Sequence, residues 1–288
     1  MTAPGPMIPS PALVDVSRFA PEDCPFETVV ADITHRCNMA CRNCYIPNRT
    51  IPDMETPWLL SMMARLPRGT FIRFIGAEPT LHPNLPLMIR EARRLRLHPV
   101  LVTNGLRLAD RAYVRELKAA GVQIVSFSFS GGFDDDLYEA IDDLRCASKK
   151  LMALDHLRAE NLYTALGMII VRGVNEDEPA NVLRYIRANR FVRELHLRSI
   201  GAVGRYMTEP APLTIEELAE VFARNAGVPR AMLPKVRTAS HFEFPFGARL
   251  RVQLTEWPEL GSTTRGRLTP EGMIEPFFEH LIANDGGY

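Results

Sequence analysis

The sequence predicts an α/β protein built on a parallel sheet, and three observations carry that prediction. Strand-like and helix-like stretches alternate six times between residue 28 and about residue 230. The strand-like runs are almost continuously apolar, as expected where helices cover both faces of a sheet. Glycine and polar residues repeatedly gather just after these runs, at the strand C-termini where β/α architectures build their active sites.

Residues 1–27 read as a proline-punctuated lead-in, because Pro4, Pro6, Pro9, Pro11, Pro21 and Pro25 exclude a long helix. Residues 28–33 form the first strand, followed by a cysteine-rich loop. Thr56 and Pro57 open a helix as N-cap and first-turn proline, with Leu59, Leu60, Met62, Met63 and Leu66 as its apolar stripe. The second strand (70–75) ends in Gly76-Ala77-Glu78-Pro79 and precedes a helix over 84–96. The third strand (99–102) ends in Thr103-Asn104-Gly105 and precedes a helix over 110–120, stopped by Gly121. The fourth strand (122–129) ends in Ser130-Gly131-Gly132, and the helical region after Asp134 breaks near 145–148 before running to about 160. Strand five (163–171) is paired with a helix over 178–189, and strand six (194–200) ends in a turn over 201–205. Thr214 and Glu217 form the capping box of the next helix. From about residue 231 the rhythm stops: the extension over 231–288 holds a strand at 249–255, a hairpin over 267–274 turning at Thr269-Pro270-Glu271-Gly272, and a short helix at 276–282. Its aromatic residues Phe242, Phe244, Phe246, Trp257, Phe277 and Phe278 suit either a cap over a pocket or a core plug.

The 288 residues are 46% hydrophobic and 24% charged, ordinary values for a globular chain able to bury a large core. Formal net charge is zero, so no global electrostatic case exists for nucleic acid or an anionic membrane. Arg90, Arg93, Arg94 and Arg96 fit the wet face of a helix. No apolar run approaches the ~18 residues that span a bilayer, and the proline-rich N-terminus does not have the form of a secretory signal. Five cysteines, three of them clustered, do not make a disulfide framework and suit a reducing cytoplasm.

The three clustered cysteines, Cys37, Cys41 and Cys44, are spaced C-x3-C-x2-C and followed by Tyr45. Three thiolates on one loop can hold three irons of a [4Fe–4S] cluster, leaving the fourth for a ligand that is not protein. Read from spacing alone, a zinc knuckle closed by His35 or a loop of incidental cysteines also stays open. In sequence and position the loop resembles that of the radical S-adenosylmethionine (radical SAM) enzymes. That resemblance implies a partial (β/α)6 barrel, matching the count of six units, with residues 28–230 as its core and 231–288 capping it. It implies one [4Fe–4S] cluster and one S-adenosylmethionine, whose reductive cleavage yields a 5′-deoxyadenosyl radical that takes hydrogen from a small-molecule or peptide substrate. An external electron donor such as flavodoxin or ferredoxin is implied as well. With no cysteine after Cys146, a single cluster is expected. The alternative is a non-enzymatic iron–sulfur or zinc-binding module.

The resemblance also implies roles for residues outside the loop. Gly76, Ala77 and Glu78 resemble the family's G-G-E-P motif, which holds the cofactor's amino group; an ordinary proline turn is the plainer reading. Asn104 falls at a strand-three ending near the site. Ser128, on the serine face of Ser126-Phe127-Ser128-Phe129-Ser130, is placed at the ribose or carboxylate. Arg145 is placed at the carboxylate, Arg172 and Asn175 at a cofactor-contacting segment, and Val203 in the turn against which adenine packs. Tyr45 is expected to pack on the cluster or adenine. Cys146 is either a thiol hydrogen donor or a buried structural residue.

Overall fold

The computed structural model describes residues 17–44, 46, 49–200, 211–235, 241–256 and 264–276. Residues 277–282 of the expected helix, most of the lead-in, Tyr45, Val203, Trp257, Phe277 and Phe278 lie outside them, and Pro276, expected to open that helix, instead ends a strand. The six expected β/α units are present. Strands β1 (Thr28–Thr34), β2 (Phe71–Gly76), β3 (His98–Thr103), β4 (Ile124–Ser128), β5 (Tyr163–Ile170) and β6 (Val192–Ser199) run parallel in chain order. Between and after them come helices α1 (Thr56–Arg65), α2 (Leu85–Arg94), α3 (Arg111–Ala120), α4 (Asp135–Asp142), α5 (Ala147–Ala159), α6 (Pro179–Ala188) and α7 (Ile215–Ala226).

The helix ends follow their local chemistry. Asp110 caps α3 by accepting from the Ala112 and Tyr113 amides, and Gly121 ends it at φ +99°. Thr214 and Glu217 make the capping box of α7. Thr56 is the first helical residue of α1 rather than its cap, and its hydroxyl accepts from Asn84 instead. The helical stretch after β4 breaks between α4 and α5 at Asp143, which takes a left-handed conformation (φ +59°).

The described part of the C-terminal extension joins the sheet instead of lying over it. β7 (His241–Phe246) and β8 (Leu250–Thr255) form an antiparallel pair, with β8 parallel to β6. β9 (Arg265–Leu268) and β10 (Ile274–Pro276) form the expected hairpin, with β9 parallel to β1. The ten-stranded order is β10-β9-β1-β2-β3-β4-β5-β6-β8-β7. Eight adjacent strands are therefore parallel, and the antiparallel β10 and β7 form the edges. Pro245 is tolerated because β7 is an edge strand. Phe242 and Phe244 are buried, and Phe244 and Phe246 meet Phe222 of α7, so these aromatics fasten the extension to the helical layer. Arg267 of β9 and Asp32 of β1 form a buried ion pair at 2.8 Å that fixes their register. Among the described residues, no helix is long and apolar enough to cross a membrane.

Candidate active site

The site begins where β1 ends. Thr34 Oγ1 donates to Asp53 Oδ1 at 2.6 Å, Arg36 Nε donates to the same oxygen at 3.1 Å, and the Met54 amide donates to Ile33 O at 3.0 Å. These bonds clasp both ends of the cysteine loop onto one strand end. Met39 and Ile46 bury their side chains within it. Cys37, Cys41 and Cys44 are all free thiols, and all three line one pocket at the C-terminal edge of the sheet.

Arg49 lies against two of the thiols, donating from Nη2 to Cys44 Sγ at 3.0 Å and hydrogen-bonding Cys37 as well. Among the described residues, no three His, Cys, Asp or Glu side chains close on a single metal ion. Zinc would draw every sulfur to about 2.3 Å, whereas in an iron–sulfur cluster each cysteine sits on its own iron. Three thiols around a common cavity, with a cation already resting against two of them, fit a [4Fe–4S] group better than a zinc knuckle. Burial pushes the Cys41 thiol up, and the neighbouring Asp142 carboxylate, hydrogen-bonded to it, acts in the same direction.

The turn after β2 is stitched to this loop. Ala77 N–H donates to Thr34 O and Glu78 N–H to Arg36 O, each at 2.9 Å. Gly76 has φ +133°, and a Cβ there would lie 2.2 Å from Thr34 O, so only glycine lets the two backbones meet. Ala77 does not share that positive φ, so alanine fits where the family motif has its second glycine. Gly76 and Ala77 line the pocket. Glu78 does not. Its fully buried carboxylate accepts from Thr80 N–H, Thr80 Oγ1, Thr103 Oγ1 and Asn104 N–H at 2.5–3.0 Å. Burial raises its pKa while those donors oppose the rise. Glu78 therefore ties the second strand end to the third. Asn104 completes the link, its Nδ2 donating to Asn38 Oδ1 at 2.8 Å and lying 3.8 Å from Cys37 Sγ.

On β4 the alternation holds: Ser126 and Ser128 face the pocket, and Phe127 and Phe129 enter the core. Beneath them lies a polar group that the sequence did not single out. Lys150 of α5 is fully buried, lines the pocket, and donates from Nζ to Ser128 O at 2.9 Å, over the Tyr138 ring at 4.7 Å. Its charge opposes the burial that raises the Asp142 pKa.

Several expected site residues lie elsewhere. Arg145 is exposed and paired with Asp136 and Glu139, because the break before α5 turns it outward. Arg172 is on the surface, donating to Ala211 O, Pro212 O and Glu217 near the start of α7. Asn175 is buried but holds backbone, accepting from Val171 N–H and donating to Ser130 O and Ile169 O. Cys146 is buried outside the pocket lining, with Tyr138, Asp142 and Lys150 in its electrostatic surroundings. The same pocket is also lined by His196 and Arg198 of β6, Gln253 of β8, Arg265 of β9 and Arg73 of β2. Their signal in the sequence was a period-two polar face, such as Glu194-His196-Arg198, within a strand.

Residues 32–186 match the family model described as the radical SAM superfamily. A 7,8-dihydro-6-hydroxymethylpterin dimethyltransferase from Methanocaldococcus jannaschii is 29% identical over 189 residues, covering 60% of this chain and 36% of that protein. A GTP 3′,8-cyclase from Mycobacterium tuberculosis is 25% identical over 266 residues, covering 84% of this chain and 67% of that one. Among solved structures, SuiB of Streptococcus suis, bound to the precursor peptide SuiA, superposes with a TM-score of 0.67 at 12% identity, covering 94% of this chain and 62% of SuiB. The chain thus spans 36% to 67% of the length of these proteins.

Proposed function

Because the chain belongs to the radical SAM superfamily, we propose that it is an enzyme that holds one [4Fe–4S] cluster on Cys37, Cys41 and Cys44 and one S-adenosylmethionine beside it. When bound, this pair supplies a 5′-deoxyadenosyl radical that takes hydrogen from a small-molecule or peptide substrate, in what we read as a biosynthetic tailoring step fed by flavodoxin or ferredoxin. The observation that carries the reading is the convergence of three thiols from one loop on one pocket, with the Gly76 turn bonded to that loop.

The chain's own part is to bind, orient and exclude water. The backbone carbonyls of Gly76 and Ala77 suit the cofactor's ammonium group, and Lys150 takes the carboxylate role first expected of Arg145. Ser126 and Ser128 offer hydroxyls to a ribose. Asn104 and Glu78 position the loop and the turn. Val30, Ile75, Val102 and Ile169 form an apolar wall that limits water near a reactive carbon.

The test is anaerobic reconstitution with iron and sulfide, followed by dithionite and S-adenosylmethionine, with 5′-deoxyadenosine measured by mass spectrometry. The wild type should form it, and Cys41→Ala should not while keeping its circular dichroism. Continued cleavage by Cys41→Ala would refute the reading. A wild type that binds iron yet forms no 5′-deoxyadenosine would be a non-enzymatic iron–sulfur module.

A further inference from the structure

We propose that His196 is a proton-transfer group of this site, exchanging a proton with an O–H or N–H group of the substrate and passing it through the Thr255 hydroxyl to His241 at the sheet edge. This extends the reading above and rests on it for the substrate, while the relay itself stands on the three side chains.

Three strands supply the path. His196 of β6 lines the pocket. Its Nε2 lies 2.8 Å from Thr255 Oγ1 of β8, and the same oxygen lies 3.1 Å from Nδ1 of His241 on β7. β8 runs parallel to β6, and His241 and Thr255 are register partners across the antiparallel β7–β8 pair. Thr255 is buried, His241 is half-buried, and β7 is an edge strand, so the path leads from the pocket to the rim of the sheet. His196 Nδ1 has no hydrogen-bond partner among the described residues and is not sealed in the core, which leaves it for a ligand in the pocket.

A hydroxyl has one proton to donate. Thr255 therefore cannot donate to both rings. When it accepts from His196 Nε2–H it donates to His241 Nδ1; when it donates to His196 Nε2 it accepts from His241 Nδ1–H. The two arrangements differ by one proton moved along the chain. In the first, His196 offers the pocket an Nδ1 lone pair. A proton taken there from the substrate sends the Nε2 proton to Thr255 Oγ1, whose own proton passes to His241 Nδ1. The substrate is left one proton poorer, His196 and Thr255 stay neutral, and His241 carries the charge; the reverse sequence returns the proton.

The surroundings favour passage over storage. Burial holds the His196 imidazole well below its ordinary range, and the charges of Arg198 on β6, Arg265 on β9, His241 on β7 and Arg73 on β2 act in the same direction. A cationic His196 is thus disfavoured, whereas a ring that gains a proton at one nitrogen as it loses one at the other stays neutral. Further along β7 and β8, Glu243 and Arg251 are paired with each other.

The test is nuclear magnetic resonance of the oxidised, anaerobically reconstituted protein, isotope-labelled at its histidine ring nitrogens, through a pH titration. As pH falls and His241 becomes cationic, His196 should stay neutral and change from its Nε2–H to its Nδ1–H tautomer. Thr255→Val, which nearly keeps the side chain's shape and removes the hydroxyl, should abolish that change. Thr255→Ser should keep it, which guards against a folding defect. His98, bonded to Gln123 instead, should titrate alike in wild type and both variants. A His196 tautomer indifferent to the state of His241 in the wild type, or a change that survives Thr255→Val, would overturn the proposal. Assay of the same wild-type sample for 5′-deoxyadenosine separates the two readings. Formation without the tautomer change removes the relay alone, whereas the tautomer change without formation keeps the relay and removes the enzymatic reading.

Discussion

Replacing Gly76 by alanine tests the coupling between the cysteine loop and the turn that lines the pocket. Two costs add. Gly76 has φ +133°, a region that a residue with a side chain occupies at a cost of about 1–3 kcal/mol. The new Cβ would also lie 2.2 Å from Thr34 O and 3.1 Å from Thr34 N, both backbone atoms of a central strand, so the strand or the turn must move. Such overpacking costs about 1–3 kcal/mol more. The expected loss is about 2–6 kcal/mol by urea denaturation, or roughly 2–4 °C in Tm for each kcal/mol. Gly173→Ala serves as the control, because Gly173 has φ +71° with nothing within 4 Å of its built Cβ and should show the backbone cost alone. The displacement caused by Gly76→Ala should pass through the Ala77 and Glu78 amides to Thr34 and Arg36 and lower iron retention. Equal stability loss in the two variants, or undiminished iron in Gly76→Ala, would refute the coupling of turn to loop.

Lys150→Met should leave the Ser128 carbonyl without its buried donor, destabilise the fold by about 1–3 kcal/mol in denaturant, and weaken S-adenosylmethionine binding by more than tenfold in equilibrium dialysis. Arg145→Ala should change stability by less than about 1 kcal/mol, because its pairs with Asp136 and Glu139 are exposed, and should leave 5′-deoxyadenosine yield intact. Glu217 has its pKa lowered from 4.5 to about 2 by its bond to Arg172 and by Thr214. Its contribution to stability is therefore present above about pH 4.5 and lost as pH falls towards 2. Glu217→Gln should flatten that part of the stability-versus-pH curve, and since the pair is a third or more exposed the effect should stay below about 1 kcal/mol.

Much of the parallel core was legible because its signals are local: apolar runs, capping residues such as Asp110 and Thr214, and glycines at strand ends. The cysteine loop and Gly76 were legible for the same reason. The extension was harder. β9 carries Arg265 and Arg267 on its inner face, and Pro245 interrupts β7, so neither shows the apolar run of a central strand. Distances of one helical turn were also beyond reach. Arg145 and Lys150 lie five positions apart, and the left-handed residue Asp143 decides which of them meets the pocket. Glu78 was read as facing a ligand because its motif lies beside the site. Its carboxylate instead answers four donors on two neighbouring turns, a partnership made by tertiary contact. The serine face of β4 followed directly from the two-residue strand period, which needs no tertiary information.

Everything proposed for this chain depends on three thiolates leaving one iron of a cluster open to S-adenosylmethionine. Electron paramagnetic resonance of the reduced, reconstituted protein, recorded with and without that molecule, tests this most directly. A [4Fe–4S] signal is expected, with a shape and position that change when S-adenosylmethionine is added. A cluster signal indifferent to its addition, or a protein that holds zinc and gives no iron signal, would contradict it.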